Sequence, residues 1–272
     1  PSVTLIAPAS AGNFALEADV RSCTVSGHGK ITASLLIGAD GRASPLREAL
    51  GIDTRGWNYH QRALAAIIGH ENPHDNVAVE HFFASGPFAV LPMLDAPDGT
   101  HRSAIVLTEH GPEAQSLIHS TPDVFLAAVE ARLPPYYGAI TVRTPPKAFP
   151  LGLVHAAAYT APRAALIGDA AHGIHPVAGQ GLNLGFRDVK TLSGLINAAY
   201  AAKTDIGSDD LLEAYSRARR ADVTAMAAFT DGIVRLFSND IAPVRALRKL
   251  GLRAVGRLPA AKRFFMRKAM GE

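Results

Sequence analysis

The sequence has few of the features that mark secreted or membrane-spanning proteins. A single cysteine, Cys23, occurs among 272 residues, which excludes an internal disulfide and favours a reducing compartment. No apolar run approaches the ~18 residues of a transmembrane helix, and the first residues, PSVTLIAPAS, do not resemble a signal peptide. These absences predict a cytoplasmic globular protein in which Cys23 is a buried strand residue rather than a nucleophile.

The net charge is small, at +3, but the charged residues are unevenly distributed along the chain. Residues 243–272 contain nine Lys and Arg and one Glu, a net charge of +8, whereas the rest of the chain sums to −5. Apolar residues such as Leu250, Phe264 and Phe265 lie between the basic ones, which is typical of peripheral binding to an anionic membrane. A solvated basic helix and a docking surface for other proteins are the alternatives. Nucleic acid is not an expected partner, because no nucleic-acid-binding fold surrounds these residues.

The hydrophobic pattern predicts an α/β chain with an antiparallel sheet in its middle. Short apolar runs predict strands in VTLIA, FALEADVRSCTV, ITASLLIGAD and RAALIGD, and the run at residues 35–37 is typical of a central strand. From Trp57 to about Pro150, apolar runs alternate with Gly, Pro and Asp, which indicates the antiparallel sheet. One helix is predicted there, with its apolar residues at Val124, Phe125, Ala128 and Leu133.

Three more helices are predicted outside that sheet. Ser44 can cap a short helix that has Pro45 at its first position. A helix beginning near Gly181 is expected to bury one face, formed by Leu182, Phe186, Val189, Leu192 and Ile196. A longer helix, capped by Ser208 or Asp209, is expected to bury Leu212, Tyr215, Val223, Met226, Phe229 and Ile233.

A glycine-rich loop, GDAAHGIHPVAGQGLNLG, runs from residue 168 to 185 between a predicted strand and a predicted helix. The small residues Pro176, Gly179 and Gly181 let a flat or anionic ligand approach the backbone at the helix N-terminus. Asp169, at the carboxyl end of the strand, can accept hydrogen bonds from ligand hydroxyls. The loop therefore indicates a cofactor with a polyol chain and a ring system. A tight strand–helix turn without a ligand is the alternative.

Two pairs of histidines have spacings that a metal site could use. His172 and His175 lie in the glycine-rich loop, and His70 and His74 lie in the segment HENPH. Neither pair has an evident third ligand, and Pro73 disfavours a helix that would align the second pair. We therefore expect ordinary hydrogen-bonding histidines and no metal site.

Two motifs carry a resemblance to a known family. The segment GDAAHGIHPVAGQGLNLGFRD closely resembles the second flavin-binding motif of the class A flavoprotein aromatic hydroxylases, and LLIGADGRASPLRE resembles their Asp-Gly motif. The segments GPFAVLPM, FPLGLVHA and LFSNDIAPVRALRKLGL are similar to the ubiquinone-biosynthesis hydroxylases, which act on polyprenylated phenols. The resemblance covers nearly the whole chain, and the two motifs occur in the family's order.

The resemblance implies an α/β flavoprotein-hydroxylase fold with an FAD-binding part, an inserted antiparallel substrate sheet and C-terminal helices. Residues 1–50 and 151–204 would form the two segments of the FAD-binding part. Residues 51–150 would form the substrate-binding sheet domain, and residues 205–272 a helical region with the basic tail.

The second motif is implied to hold the ring end of FAD. Asp169 would bind the ribityl chain, and the helix start would place N–H groups near the pyrimidine edge of the flavin ring, where the helix dipole favours negative charge. The residues implied to contact the cofactor here are Gly168, Asp169, Pro176, Gly179, Gly181, Leu182 and Asn183.

The remaining implied contacts lie on either side of the flavin. Asp40, Gly41 and Arg42 would support the pyrophosphate and nicotinamide side, and Pro176 and Val177 would lie between the ring and the substrate.

The family's reaction uses NAD(P)H and O2 and needs no protein nucleophile, so no catalytic acid or base is predicted. Tyr136 and Tyr137 either contact the aromatic substrate or belong to the core. A prenyl reductase or a halogenase is a related alternative, but HPVAGQGLNLGFRD favours a hydroxylase.

One element of the family pattern is missing from the sequence. No G-x-G-x-x-G turn, which binds the ADP half of FAD in the family, occurs in the chain. We expect a fragment of a longer enzyme whose parallel sheet lacks its first strand, and weak or no FAD retention by this polypeptide alone. The alternative is a non-catalytic substrate-binding or complex-assembly module without a competent flavin site.

Overall fold

The computed structural model describes residues 2–17, 19–238 and 263. The strands of this part of the chain are β1 (Ala11–Glu17), β2 (Val20–Val25), β3 (Gly29–Ala33), β4 (Leu36–Gly38), β5 (Thr54–His70), β6 (Val79–Phe83), β7 (Gly86–Pro92), β8 (His101–His110), β9 (Ile140–Val142), β10 (Lys147–Ala156), β11 (Thr160–Ala161), β12 (Ala164–Leu166) and β13 (His172–Gly173). The α-helices are α1 (Pro45–Ala49), α2 (Gly111–Ile118), α3 (Pro122–Glu130), α4 (Gln180–Ala201) and α5 (Asp209–Phe237). This mixture of elements confirms the predicted α/β class.

The described residues divide into two compact units. Unit 1 contains the chain up to Trp57, Leu153–His175 and Gly179–Phe229. Unit 2 contains Asn58–Gly152, Pro176–Ala178 and the described residues from Thr230 onward. The four-segment division expected from the sequence stays a prediction.

Unit 1 contains two small sheets. Strands β1, β2 and β3 form an antiparallel meander, in which the buried Cys23 lies on β2 as predicted. The second sheet has the order β11-β12-β4, and β12 runs parallel to β4. The C-terminal end of β10 also belongs to this unit and pairs antiparallel with β13.

Two strand predictions in unit 1 are wrong. The segment VTLIA forms no strand, and its Val3 and Leu5 side chains are exposed, since an apolar run without a neighbouring strand has no ladder to join. Residues 35–37 were predicted to form a central strand. Among the described residues, however, β4 pairs with β12 alone and is therefore an edge strand, with Ile37 exposed.

The helices of unit 1 follow the predicted signals at their ends but not on every face. Helix α1 begins with the predicted cap, since Oγ of Ser44 accepts the N–H of Arg47 at 3.0 Å and Pro45 follows. On α5, the predicted residues Leu212, Tyr215, Val223 and Met226 are buried, whereas Phe229 is 39% exposed.

The predicted buried face of α4 is wrong at three of its five positions, whereas Leu192 is buried as predicted. Leu182, Phe186 and Val189 are exposed, and the face that is buried carries Leu184, Asp188 and Leu192. This face also has helical spacing, but its central position is a carboxylate, which a hydrophobic pattern scores as solvent-facing.

Unit 2 is organised around the predicted antiparallel sheet. Its strands lie in the order β10-β5-β8-β7-β6, and β9 also pairs with β5. One face of the sheet packs against α2 and α3 and forms a core of Leu64, Ala66, Ile68, Phe88, Val90, Ile105, Leu107, Ala114, Phe125, Val129, Tyr137 and Ile140. Alternation of core and non-core residues along β5, β7 and β8 is the period-two pattern that the sequence showed.

The ambiguous residues of unit 2 separate clearly by exposure. Phe125 of α3 is buried, but Val124 is 53% exposed, so its predicted place on the apolar face of the helix is wrong. Tyr137 is buried in the core of unit 2, whereas Tyr136 is exposed. Of the two readings of this tyrosine pair, core packing therefore holds for Tyr137.

We predict that Gly56→Ala destabilises unit 1 by about 1–3 kcal/mol. A Cβ at Gly56 of β5 would lie 1.9 Å from the carbonyl oxygen of Leu153 on β10, so these strands would have to separate. Gly194→Ala is the matched control, because its Cβ would meet open space on an exposed part of α4 and should stabilise the chain by ~0.5–1 kcal/mol. Urea unfolding measures both, and equal stability of the two variants would contradict the prediction.

Candidate functional site

The two sequence motifs continue from the carboxyl ends of two neighbouring strands, which lie at the same edge of one sheet. Strands β4 and β12 are parallel, with Leu166 opposite Gly38, and the N–H of Ile167 donates to the carbonyl of Gly38 at 2.9 Å. Asp40 follows the carboxyl end of β4, and Asp169 follows the carboxyl end of β12. In open α/β sheets, ligands bind outside the carboxyl ends of the strands, so the topology makes this edge the candidate site.

The charged side chains of the two motifs meet there. Nε of Arg42 lies 3.8 Å from Oδ2 of Asp169, although the residues are far apart in the chain. The guanidinium of Arg42 also lies against Gly173, where an added Cβ would be 2.8 Å from its Nε. Gly173 thus makes room for the cation that faces Asp169, whose side chain is half-exposed.

Arg47 ties the two motifs together, and the sequence reasoning missed it. Its Nη1 donates to the carbonyl of Ala170 and its Nη2 to the carbonyl of Arg42, both at 2.9 Å. Asp40 holds the same turn from within, because its Oδ2 accepts the N–H of Leu46 at 3.0 Å. A basic residue seven positions after Asp40, inside the motif LLIGADGRASPLRE, was the available signal.

The glycines of the second motif leave the backbone accessible. Gly168 and Gly179 have φ of +58° and +61°, in the left-handed region that favours glycine. A Cβ at either residue, or at Gly181, would meet no further atom of the described part of the chain within 4 Å. Gly179 is the N-cap of α4 and offers no side-chain acceptor to the first N–H groups of this helix. A planar ligand with acceptor atoms therefore fits against this backbone.

The remaining predicted residues of this motif differ in exposure. Leu182 and Asn183 lie in the first turn of α4 and are exposed. Pro176 and Val177 belong to unit 2, where Pro176 is exposed and Val177 is buried.

Behind the loop, the buried face of α4 carries a carboxylate that the sequence reasoning also missed. Asp188 is fully buried. Its Oδ2 accepts the backbone N–H of Gly168 at 2.8 Å and the Nε2–H of His172 at 2.6 Å. Its Oδ1 accepts the Nε–H of Arg219 at 2.7 Å. The available signal was the pair of polar residues in FRD, which interrupts the apolar residues of the helix.

Asp188 is one member of a chain of ion pairs in which acidic and basic side chains alternate. Nη1 of Arg219 donates to Asp222 at 2.8 Å, and Nη1 of Arg187 donates to the same carboxylate at 3.1 Å. Burial alone would raise the pKa of Asp188, but the hydrogen bonds from His172, Arg219 and Gly168 outweigh it and hold that pKa below the ordinary value. Asp188 is therefore ionised at neutral pH, and its charge is compensated within unit 1.

The two histidines of the segment HENPH, His70 and His74, are also bound by the protein itself. Nδ1 of His70 lies 2.7 Å from the carbonyl of Asn72, and its Nε2 lies 3.0 Å from Oγ of Ser103. His74 contacts the carbonyl of Met93 through Nε2 at 2.9 Å. Across the described residues, no group of three or more His, Cys, Asp or Glu side chains is arranged to hold a metal ion.

Membrane contact was a further expectation. None of the helices in residues 2–17 and 19–238 combines the length and the hydropathy needed to cross a membrane. The basic tail at residues 243–272 lies outside the described residues, apart from Arg263.

Comparison with known proteins places the chain among FAD-binding proteins. A family model described as an FAD binding domain matches residues 12–230. The chain is 44% identical over 271 residues to the ubiquinone hydroxylase UbiL of Rhodospirillum rubrum, which covers 100% of this chain and 62% of UbiL. It is 34% identical over 271 residues to the 3-demethoxyubiquinol 3-hydroxylase of Escherichia coli, which covers 100% of this chain and 68% of that enzyme.

The solved structures agree on the fold. The anhydrotetracycline hydroxylase OxyS of Streptomyces rimosus aligns with a TM-score of 0.71 and 24% identity, over 98% of this chain and 52% of OxyS. This likeness confirms the expected flavoprotein-hydroxylase fold. The chain spans less than two thirds of the length of UbiL. By its match to the family model and to these relatives, the chain belongs to the FAD binding domain family, in the group of flavoprotein hydroxylases that includes the ubiquinone-biosynthesis enzymes.

Proposed function

We propose that this chain is the part of an FAD-dependent monooxygenase that binds the ring end of the flavin and a phenolic substrate. The whole enzyme hydroxylates the aromatic ring of a polyprenylated phenol in ubiquinone biosynthesis, with NAD(P)H as the electron donor and O2 as the oxygen source. One observation carries this proposal. Arg42 and Asp169 meet at the carboxyl ends of two parallel strands, in a chain that is 44% identical to a ubiquinone hydroxylase.

The accessible backbone and the half-exposed carboxylate fit the ring end of FAD. Asp169 would accept hydrogen bonds from the ribityl hydroxyls, and Gly181, Leu182 and Asn183 would hold the ring through backbone N–H groups of the first turn of α4. When bound, FAD supplies the redox chemistry that transfers an oxygen atom from O2 to the substrate. The chain would bind and orient the cofactor, and the proposed reaction needs no protein nucleophile.

The Asp-Gly motif supports the other side of the cofactor. Asp40 is engaged with Leu46 and holds its turn, which leaves Gly41 and Arg42 to face the ligand. The side chain of Arg42 is 35% exposed at the carboxyl ends of the two strands, so its guanidinium suits a phosphate oxygen of the flavin or of the nicotinamide donor.

The sheet of unit 2 offers a surface for the substrate. The face opposite its core carries small and medium apolar side chains in register across three strands. These residues are Ala65, Ile67, Ala89, Leu91, Ala104 and Val106. Small side chains on this face leave room for an aromatic ring and the first prenyl groups. We assign the exposed Pro176 to the same substrate contact, whereas the buried Val177, at 1% exposure, presents almost no surface to a ligand.

Asp169→Ala is expected to weaken FAD binding about tenfold or more, because ribityl hydroxyls lose a charged acceptor. Flavin fluorescence quenching measures the dissociation constant in the longest natural protein that contains this chain. Asp123→Ala removes an exposed carboxylate from α3 of unit 2 and is the matched control, with no expected change. An unchanged dissociation constant for Asp169→Ala would contradict the assignment of this residue.

The flavin-loaded protein is expected to hydroxylate a short-chain polyprenylphenol in the presence of NADH or NADPH. Isotopically labelled O2 should place one labelled oxygen atom on the ring, detected by mass spectrometry, and protein stripped of flavin should form no product. Tight flavin binding with no product from any polyprenylphenol tested would overturn the monooxygenase proposal. That outcome would favour the non-catalytic substrate-binding or assembly module.

We also propose that the tail at residues 243–272 contacts an anionic membrane surface, where a polyprenylated phenol resides. Because its net charge is +8, the chain is expected to sediment with phosphatidylglycerol vesicles at low salt. High salt screens this attraction and should release the chain from the vesicles. A chain ending at residue 242 is the control and should stay in the supernatant. Equal sedimentation of the two chains at both salt concentrations would refute the membrane role.

A further inference from the structure

The carboxylate of Asp188 contacts the loop that carries Asp169. Asp188 belongs to α4, and the first turn of this helix is part of the same candidate site. Oδ2 of Asp188 accepts the N–H of Gly168, the residue immediately before Asp169, at 2.8 Å. Asp188 lies in α4, the helix that begins at Gln180, so a rigid helical segment fixes its distance from the N–H groups of the first turn. A single side chain therefore relates the positions of two backbone segments that are separate in the chain.

The same oxygen holds the loop at a second point. The Nε2–H of His172 donates to Oδ2 of Asp188 at 2.6 Å. His172 lies on β13 and is only 2% exposed. His172 is in turn the register partner of His155 on β10. The carboxylate thus holds the loop on both sides of Asp169, one residue before it and three residues after it.

The ring of His172 depends on this contact. Its Nδ1 is buried and has no hydrogen-bond partner among the residues that the structure describes. The bond from Nε2 to Asp188 is therefore the polar anchor of the ring in this part of the chain. Removing the acceptor would leave a second buried nitrogen without a partner, and the ring and its loop would have to move to reach one.

We propose that Asp188 is a positioning residue that holds the turn carrying Asp169 in register with the N-terminus of α4. This inference rests on the proposed function, because the two segments are those assigned to the ribityl chain and to the ring of the flavin. Asp188 itself is fully buried. It acts on the cofactor through the geometry of the loop.

The competing reading is that Asp188 merely stabilises unit 1 as a member of a buried charge cluster. Asp222 distinguishes the two readings, because it bonds to Arg219 at 2.8 Å but does not contact Gly168 or His172 in the hydrogen bonds found. Asp222→Asn removes a comparable ionic bond from the cluster and leaves the three contacts of Asp188 in place. Asp188→Asn keeps the shape of the side chain, but the three donors then face one acceptor oxygen instead of two.

Hydrogen exchange of the peptide covering residues 168–179, measured by mass spectrometry without added flavin, tests the proposal. After correction for any change in global stability, Asp188→Asn is expected to speed this exchange about tenfold. This factor corresponds to the loss of one charge-assisted hydrogen bond. Asp222→Asn should leave the normalised exchange of this peptide unchanged. His172→Gln provides a second variant, which keeps the bond between Asp188 and Arg219, and it should also speed exchange in the loop.

Equal normalised exchange in Asp188→Asn and Asp222→Asn would overturn the proposal. If Asp188→Asn does not fold, His172→Gln decides, and wild-type exchange in that variant overturns it. A flavin titration of the longest natural protein separates this result from the proposed function. Faster loop exchange with about tenfold weaker FAD binding supports both. Faster loop exchange in a protein that binds no flavin in wild-type form supports the positioning role and counts against the proposed function.

Discussion

The arrangement of unit 1 around the glycine-rich loop depends on the hydrogen bonds of the Asp188 carboxylate. Its two oxygens accept one backbone N–H, one imidazole N–H and one guanidinium N–H, and these come from the loop after β12, from β13 and from α5. A buried charge is costly unless all of its lone pairs find donors, so the three donors and the acceptor constrain one another. The loop, the strand and both long helices therefore have little freedom to move independently.

A second constraint comes from the parallel pairing of β4 with β12. Parallel pairing brings the carboxyl ends of both strands to one edge, and the two motifs begin at these ends. Arg47 then joins the motifs by donating to a backbone carbonyl in each of them. Arg47 bonds the loop at Ala170, and Asp188 bonds it at Gly168 and His172, while Arg42 and Asp169 keep part of their side chains exposed. Rigid support and accessible binding groups are thus provided by different residues.

Local signals predicted much of the fold and part of the site. The Ser44 cap, the alternating strands of unit 2 and the buried face of α5 depend on neighbours in sequence, and a single chain displays them. The face of α4 did not follow from its hydrophobic spacing. Leu182, Phe186 and Val189 are exposed, because the face turned inward is the one whose carboxylate has buried donors from other elements. No local pattern indicates that such donors exist.

The sequence by itself determined the family, the two flavin motifs and the residue types that suit a ribityl chain and a ring, since these are properties of short contiguous segments. Tertiary structure alone decided that Arg42 lies within 3.8 Å of Asp169, that Arg47 joins the two motifs and that Asp188 is buried behind the loop. The physical reason is that these contacts satisfy charges and backbone groups across elements distant in the chain. Whether a polar residue faces solvent or a buried partner is decided by the elements that pack against it.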